Sequence, residues 1–159
     1  MGVVAFACAL LVVMTTLVHY EALGGLNAWL AASPMRNRVK VVAALLGVFL
    51  AHIVEITLYG AAIYLLTTHF PVGRMSGAES TLTTCFYFST ETYTALGMGD
   101  LMPVGPIRML AGVEALNGLL LIGWSASFLY ICMERFWAAP HERRAKRRRD
   151  SAGDDGPRR

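Results

Sequence analysis

The residues best suited to chemistry in this chain sit inside apolar sequence. One set is Thr94-Ala95-Leu96-Gly97-Met98-Gly99-Asp100, with Glu91 just ahead of it. Glycine reaches backbone conformations closed to other residues, so a G-x-G element can turn successive carbonyls toward one side. Carbonyls aligned in that way can replace the water shell of a cation. A second set is His19, Glu21, His52 and Glu55. Two imidazoles and two carboxylates can hold a divalent metal, and they can equally form a hydrogen-bonded or ion-paired network between two helices. No compact metal motif such as H-E-x-x-H accompanies them. A third candidate is Glu114, the lone acid between Arg108 and Glu134. It is expected to face protein, because an unpaired charge in lipid is strongly disfavoured.

The elements that must position these groups are membrane helices. The chain has 159 residues, one domain's worth, and 55% of them are hydrophobic. Its mean hydropathy of +0.49 is too high for an ordinary soluble domain. Several apolar runs are long enough to cross a hydrocarbon core of about 30 Å, so the class is integral membrane. A first helix covers residues 1–33 and ends at Ser33-Pro34, since proline lacks a donor and restricts its predecessor. Residues 34–40 make a basic turn with Arg36, Arg38 and Lys40, and a second helix follows from about Val39 to Thr67. Residues 71–78 read as a polar turret. Ser76 and Glu79 have capping-box spacing, which predicts a short helix from Gly77 to about Tyr93. That helix is too short to span, and it suits a re-entrant element whose negative C-terminal end faces a cation. Pro103 and Pro106 redirect the chain into a last long helix from about Ile107 to Trp137. Residues 139–159 are basic and polar, cannot bury a core, and are predicted to be disordered. Cys8, Cys85 and Cys132 lack metal-ligand spacing and read as buried free thiols. The start lacks the basic region of a secretory signal.

Charge sets an orientation. Arg36, Arg38 and Lys40 belong on the cytoplasmic side, as does the arginine run after the last helix. Two spans separate them, so both assignments agree, and the N-terminus and the mouth of the re-entrant loop face outward. A turn centred between Met35 and Arg36 sets His19 opposite His52. His52 then lies about 20 Å deep at the helical rise of about 1.5 Å per residue.

Residues Tyr87 through Val104 resemble the pore loop of potassium channels, whose pattern is an aromatic pair, a short helix and T-T-V-G-Y-G-D. The resemblance extends over roughly Val39 to Met133. It implies that backbone carbonyls from Thr94 through Met98 are ion ligands within a filter of Thr94, Ala95, Leu96, Gly97, Met98 and Gly99. Gly97, Gly99 and Asp100 match identically. Ala95 stands where the family has a threonine whose hydroxyl serves the innermost ion site. Met98 stands where it has tyrosine or phenylalanine, so the support behind the filter should be softer. Glu91 and Asp100 match two acids that meet behind the filter in some bacterial members and share a proton. Gly118 aligns with the family's hinge glycine if one residue is deleted after Pro103. A packing glycine is an equal reading there, and Asn117 beside it could face the cavity.

The expected architecture is an all-α integral membrane protein with three transmembrane helices, a re-entrant pore helix and a filter, assembled as a homotetramer. The pore domain occupies residues 41–138, and the first helix is an addition to the family's two. The expected function is passive K+ transport in a cell membrane, bacterial inner membrane by resemblance, with K+ as the permeant ion and no covalent chemistry. Alternatives are a weakly selective monovalent cation channel, a membrane metal-binding protein built on the His/Glu set, and a non-conducting accessory subunit. Arg143, Arg144, Lys146, Arg147, Arg148 and Arg149 are expected to meet anionic lipid headgroups. Nucleic acid is not an expected partner, since the run lacks interleaved aromatics.

Overall fold

A computed structural model describes the backbone of residues 1–70 and 72–153, and the side chains of residues 1–70 and 72–136. The element order is α1 (Gly2–Ala32), α2 (Asn37–Thr68), β1 (Arg74–Ser76), α3 (Leu82–Tyr93), β2 (Met102–Val104) and α4 (Ile107–Gly153). α1, α2 and α4 over Ile107–Phe136 are each long and apolar enough to cross a membrane. The protein is therefore a multi-pass membrane protein of helical class, with one two-stranded clip.

α1 ends where Ser33 turns extended ahead of Pro34. Lys40, placed by sequence in a basic turn, is instead largely buried. Its Nζ donates to the Leu30 carbonyl at 2.7 Å and lies 5.2 Å from the centre of the Phe136 ring. A cation on the last carbonyls of α1 satisfies both an orphan acceptor and the negative end of the helix. Asn37 Nδ2 donates to the Phe136 carbonyl at 2.8 Å, which ties the α1–α2 turn to α4. Leu30, Ala44, Cys132 and Phe136 pack together at this end.

The larger core joins all four helices around Tyr59, Ile63, Phe88, Tyr93 and Leu110. α2 approaches α3 closely at Gly60, where an added Cβ would lie 3.1 Å from Phe86 Cα. The three cysteines are free and buried, as expected.

Two boundaries differ from the sequence reading. Ser76 and Glu79 do not cap α3. Ser76 is held extended in β1 opposite Met102, and Arg74 pairs with Val104. The helix starts at Leu82, where Thr81 Oγ1 accepts from the Thr84 amide at 3.1 Å. Strand pairing at Ser76 thus overrides a local capping pattern, and a threonine four residues from the first helical turn's end supplies the cap. α4 also continues as helix through Gly153, past Trp137 and into the stretch predicted to be disordered. The residues following Pro140 include strong helix formers, namely Glu, Arg, Ala and Lys. The side chains of Arg143, Arg144, Lys146, Arg147, Arg148 and Arg149 lie outside the described residues, as do residues 154–159 altogether.

Candidate functional site

α3 is 12 residues long, about 18 Å at 1.5 Å per residue, so it enters the membrane without crossing it. Its last turn unwinds in steps. The Ala95 amide bonds to the Thr92 carbonyl at 3.0 Å and the Leu96 amide to the Glu91 carbonyl at 2.9 Å. Beyond them, φ is positive at Ala95 (55°), Gly97 (57°) and Gly99 (82°), and at neither Leu96 nor Met98. In an extended chain successive carbonyls point to opposite sides. Reversing the hand of every second residue cancels that alternation and aligns them. Glycine takes this conformation freely, whereas Ala95 is strained by it. Residues 94–100 are all exposed, and an added Cβ at Gly97 or Gly99 would meet nothing within 4 Å.

Behind this segment, the Tyr87 hydroxyl lies 3.3 Å from Met98 Sδ and 3.3 Å from Asp100 Oδ2. Glu91 is buried, and its Oε1 has no hydrogen-bond partner. No hydrogen bond joins Glu91 to Asp100 among the described residues. Tyr87, which the sequence reading used only as half of an aromatic pair, bonds to Asp100.

The His/Glu set converges, with one exception. Glu55 is fully buried. Its Oε1 lies 2.8 Å from His19 Nδ1, and its Oε2 lies 3.1 Å from His52 Nδ1 and accepts from the Tyr93 hydroxyl. His52 Nδ1 is also 2.9 Å from the Tyr93 oxygen. On the far side of both rings, Ser125 Oγ lies 3.1 Å from His19 Nε2 and 3.0 Å from His52 Nε2. The antiparallel register predicted for α1 and α2 thus holds. Glu21 does not join the set and is exposed. Two residues along a helix turn by about 200°, so with His19 inward Glu21 points out. His19, His52 and Glu55 could each offer one ligand atom within 4.8 Å of the others, a donor set chemically fit for a divalent ion.

α4 carries one further correction and favours one of two readings left open. Asn117 does not face a cavity. It is buried, and its Nδ2 donates to Thr15 Oγ1 at 2.8 Å and to the Tyr59 hydroxyl at 3.1 Å, which pins α1 and α2 to α4. Gly118 is a packing glycine. An added Cβ would lie 2.2 Å from the Tyr93 carbonyl oxygen, so only glycine lets α4 approach the end of α3. Glu114 faces protein, as expected, and Ser89 Oγ donates to its Oε1. Sequence reasoning missed Tyr93, Ser125, Tyr59, Thr15 and Ser89. Thr15, Tyr59 and Ser125 are polar groups inside apolar runs, which was the available signal, whereas Ser89 and Tyr93 sit in the polar stretch of α3 where nothing sets them apart. The partners of all five lie on other helices.

Residues 51–135, more than half of the chain, match a protein family described as ion channel. The chain belongs to this ion-channel family. The matched segment coincides closely with the stretch that resembles potassium channel pore domains, and it leaves α1 outside. A curated relative is the inward rectifier potassium channel Kirbac3.1 of Paramagnetospirillum magnetotacticum, 41% identical over 49 residues. That match covers 30% of this chain and 17% of the relative. No solved structure matches the chain significantly.

Proposed function

We propose that four copies of this channel protein surround a central axis and pass K+ down its gradient, with carbonyls from Thr94 through Met98 as ion ligands. The observation that carries this reading is the alternation of positive φ at Ala95, Gly97 and Gly99 directly after α3. Alternation turns carbonyls one way, and a row of carbonyls can stand in for an ion's water shell. One chain provides one such row with open space beside it. A cage of ligands therefore needs further copies, and a single re-entrant loop per chain suits a four-fold ring. The negative end of α3 would face the cavity and favour a cation.

In this assembly the N-terminus and the β1–β2 clip lie outside a cell membrane, and the α1–α2 turn lies in the cytoplasm. The arginines of residues 143–149 meet anionic lipid there, each contributing about 1 kcal/mol near the surface. Glu91 and Asp100 brace the filter together with Tyr87.

A second reading is a weakly selective monovalent cation channel. Two features favour it. Ala95 supplies no hydroxyl to the innermost site, and Met98 accepts a hydrogen bond from Tyr87 where the family residue has a ring. The deciding experiment is the reversal potential of the purified protein in a bilayer with mixed K+ and Na+. A reversal near the K+ potential supports the first reading, and one near zero supports the second. Cross-linking that yields only monomers or dimers would overturn the pore.

A further inference from the structure

The polar groups around Glu55 close into a ring drawn from all four helices. His19 comes from α1, His52 and Glu55 from α2, Tyr93 from α3 and Ser125 from α4. Both Nδ1 atoms and the Tyr93 hydroxyl converge on the Glu55 carboxylate. His19 Nδ1 stands 2.8 Å from Oε1, His52 Nδ1 stands 3.1 Å from Oε2, and the Tyr93 oxygen stands 2.9 Å from His52 Nδ1. A tetrahedral zinc ion bonds nitrogen and oxygen at about 2.0–2.2 Å, which sets neighbouring ligands about 3.3 Å apart. The observed spacings fall a few tenths of an ångström short of that, so a small outward movement admits an ion.

The outer side of the ring fits the same reading. Ser125 Oγ lies 3.1 Å from His19 Nε2 and 3.0 Å from His52 Nε2. A metal-ligating imidazole donates its other N–H to an oxygen that fixes its orientation. One serine oxygen has two lone pairs and can accept both Nε2–H groups. In that arrangement both Nδ1 lone pairs point at a carboxylate, and a cation between them makes the convergence attractive. The His19 ring is held further by Trp124, 5.2 Å away between ring centres. His19 and Glu55 are fully buried, whereas 16% of the His52 side chain is exposed and gives an ion a way in.

We propose that His19, His52, Glu55 and Tyr93 bind one divalent cation of the zinc type, with Ser125 orienting both imidazoles from behind. Imidazole nitrogens suit zinc-type ions, whereas Mg2+ and Ca2+ take oxygen ligands, so this ion is distinct from the K+ proposed for the filter. Protein fills all four positions, which makes the site of the structural type, with no open position for a substrate. The ion ties four helices together beside the filter. Tyr93 is the last residue of α3 and immediately precedes Thr94, and its carbonyl lies against Gly118 of α4. The metal therefore fixes the side chain from which the filter segment starts.

The test is metal binding by tag-free, full-length protein in detergent, stripped with a chelator and then titrated with Zn2+ or Co2+. Wild-type protein should retain stoichiometric Zn2+ after desalting. It should then unfold at a higher temperature than the stripped form, since a ligand of the folded state alone stabilises that state. Bound Co2+ should show the intense visible bands of a tetrahedral site. His52→Gln and Glu55→Gln should lose stoichiometric binding. Ser125→Ala keeps every ligand and should weaken affinity about 10–100-fold, the usual effect of removing an orienting partner. Wild-type protein that retains no Zn2+ and shows no shift in midpoint has a ring of hydrogen bonds alone, which overturns the proposal. Equal retention by wild type and His52→Gln also overturns it, as adventitious binding elsewhere. Should the variants fail to fold, the Co2+ spectrum of wild type decides, and weak octahedral bands overturn the site.

The role of the ion at the filter presupposes the pore proposed above, whereas the binding site does not. K+ flux from liposomes should fall severalfold when the protein is stripped and return with stoichiometric Zn2+. Flux unchanged by stripping overturns the role at the filter. Absence of wild-type flux in either state overturns the pore reading, while the binding measurements still decide the site.

Discussion

The filter segment and the Glu55 ring are neighbours joined by Tyr93, yet they are built in opposite ways. In the ring, every polar atom finds a partner inside the same chain, and Glu55 and His19 are completely buried. In residues 94–100 the side chains are exposed and the glycines have empty space beside them. A buried polar network must be closed within the fold, because an unmet donor or acceptor destabilises by about 1–3 kcal/mol. Carbonyls meant for an exchangeable ion must stay unmet by protein, and their strained backbone must be held from behind. One region is satisfied so that the other can remain unsatisfied.

Substitutions can break this contrast. The largest effect on stability is expected for Glu55→Ala, which leaves two imidazoles and a phenol facing a void. Each buried donor or acceptor left without a partner typically costs about 1–3 kcal/mol, and denaturant or thermal unfolding in detergent would measure the total. Gly118→Ala should cost about 1–3 kcal/mol, the usual range for overpacking. It should also shift α4 away from Tyr93, so that flux falls even in protein that folds. A Gly118→Ala channel with unchanged stability and flux would show that the contact with Tyr93 is not needed.

Gly97→Ala tests the other side of the contrast. The added methyl meets nothing within the chain, so the stability loss should be limited to the left-handed backbone strain of about 1–2 kcal/mol. Conduction, by contrast, should be lost while the oligomer persists on size-exclusion chromatography. Tyr87→Phe should have the smallest effect on unfolding, within about 0.5 kcal/mol for an exposed contact. It removes the hydroxyl held near Met98 and Asp100, so the K+/Na+ reversal potential should move. An unmoved potential would detach Tyr87 from the filter.

The differing legibility of the two regions follows from their construction. The filter could be recognised as a string, because its backbone pattern is local and needs Gly97 and Gly99 at fixed spacing. The ring could be glimpsed only in part. The helical hairpin sets His19 opposite His52 because a turn fixes antiparallel register. Glu21 was misplaced against helical geometry itself, since two residues turn by about 200° and His19 and Glu21 cannot share a face. Asn117, by contrast, was put in a cavity because the azimuth of a helix is undetermined until it packs. Ser76 and Glu79 failed as a cap because β2, more than twenty residues later, claims Ser76 first.

What the sequence by itself determined was the medium and the local backbone: three apolar runs that must span, a short helix that cannot, and a glycine pattern that turns carbonyls. Those properties are written in adjacent residues, through hydropathy, proline and allowed φ. Only the tertiary structure decided that Ser125 closes the ring, that Tyr93 links it to the filter, and that Gly118 admits the end of α3. These are meetings of single side chains from different helices, and in a nearly uniform apolar helix no periodicity marks which face will be turned inward.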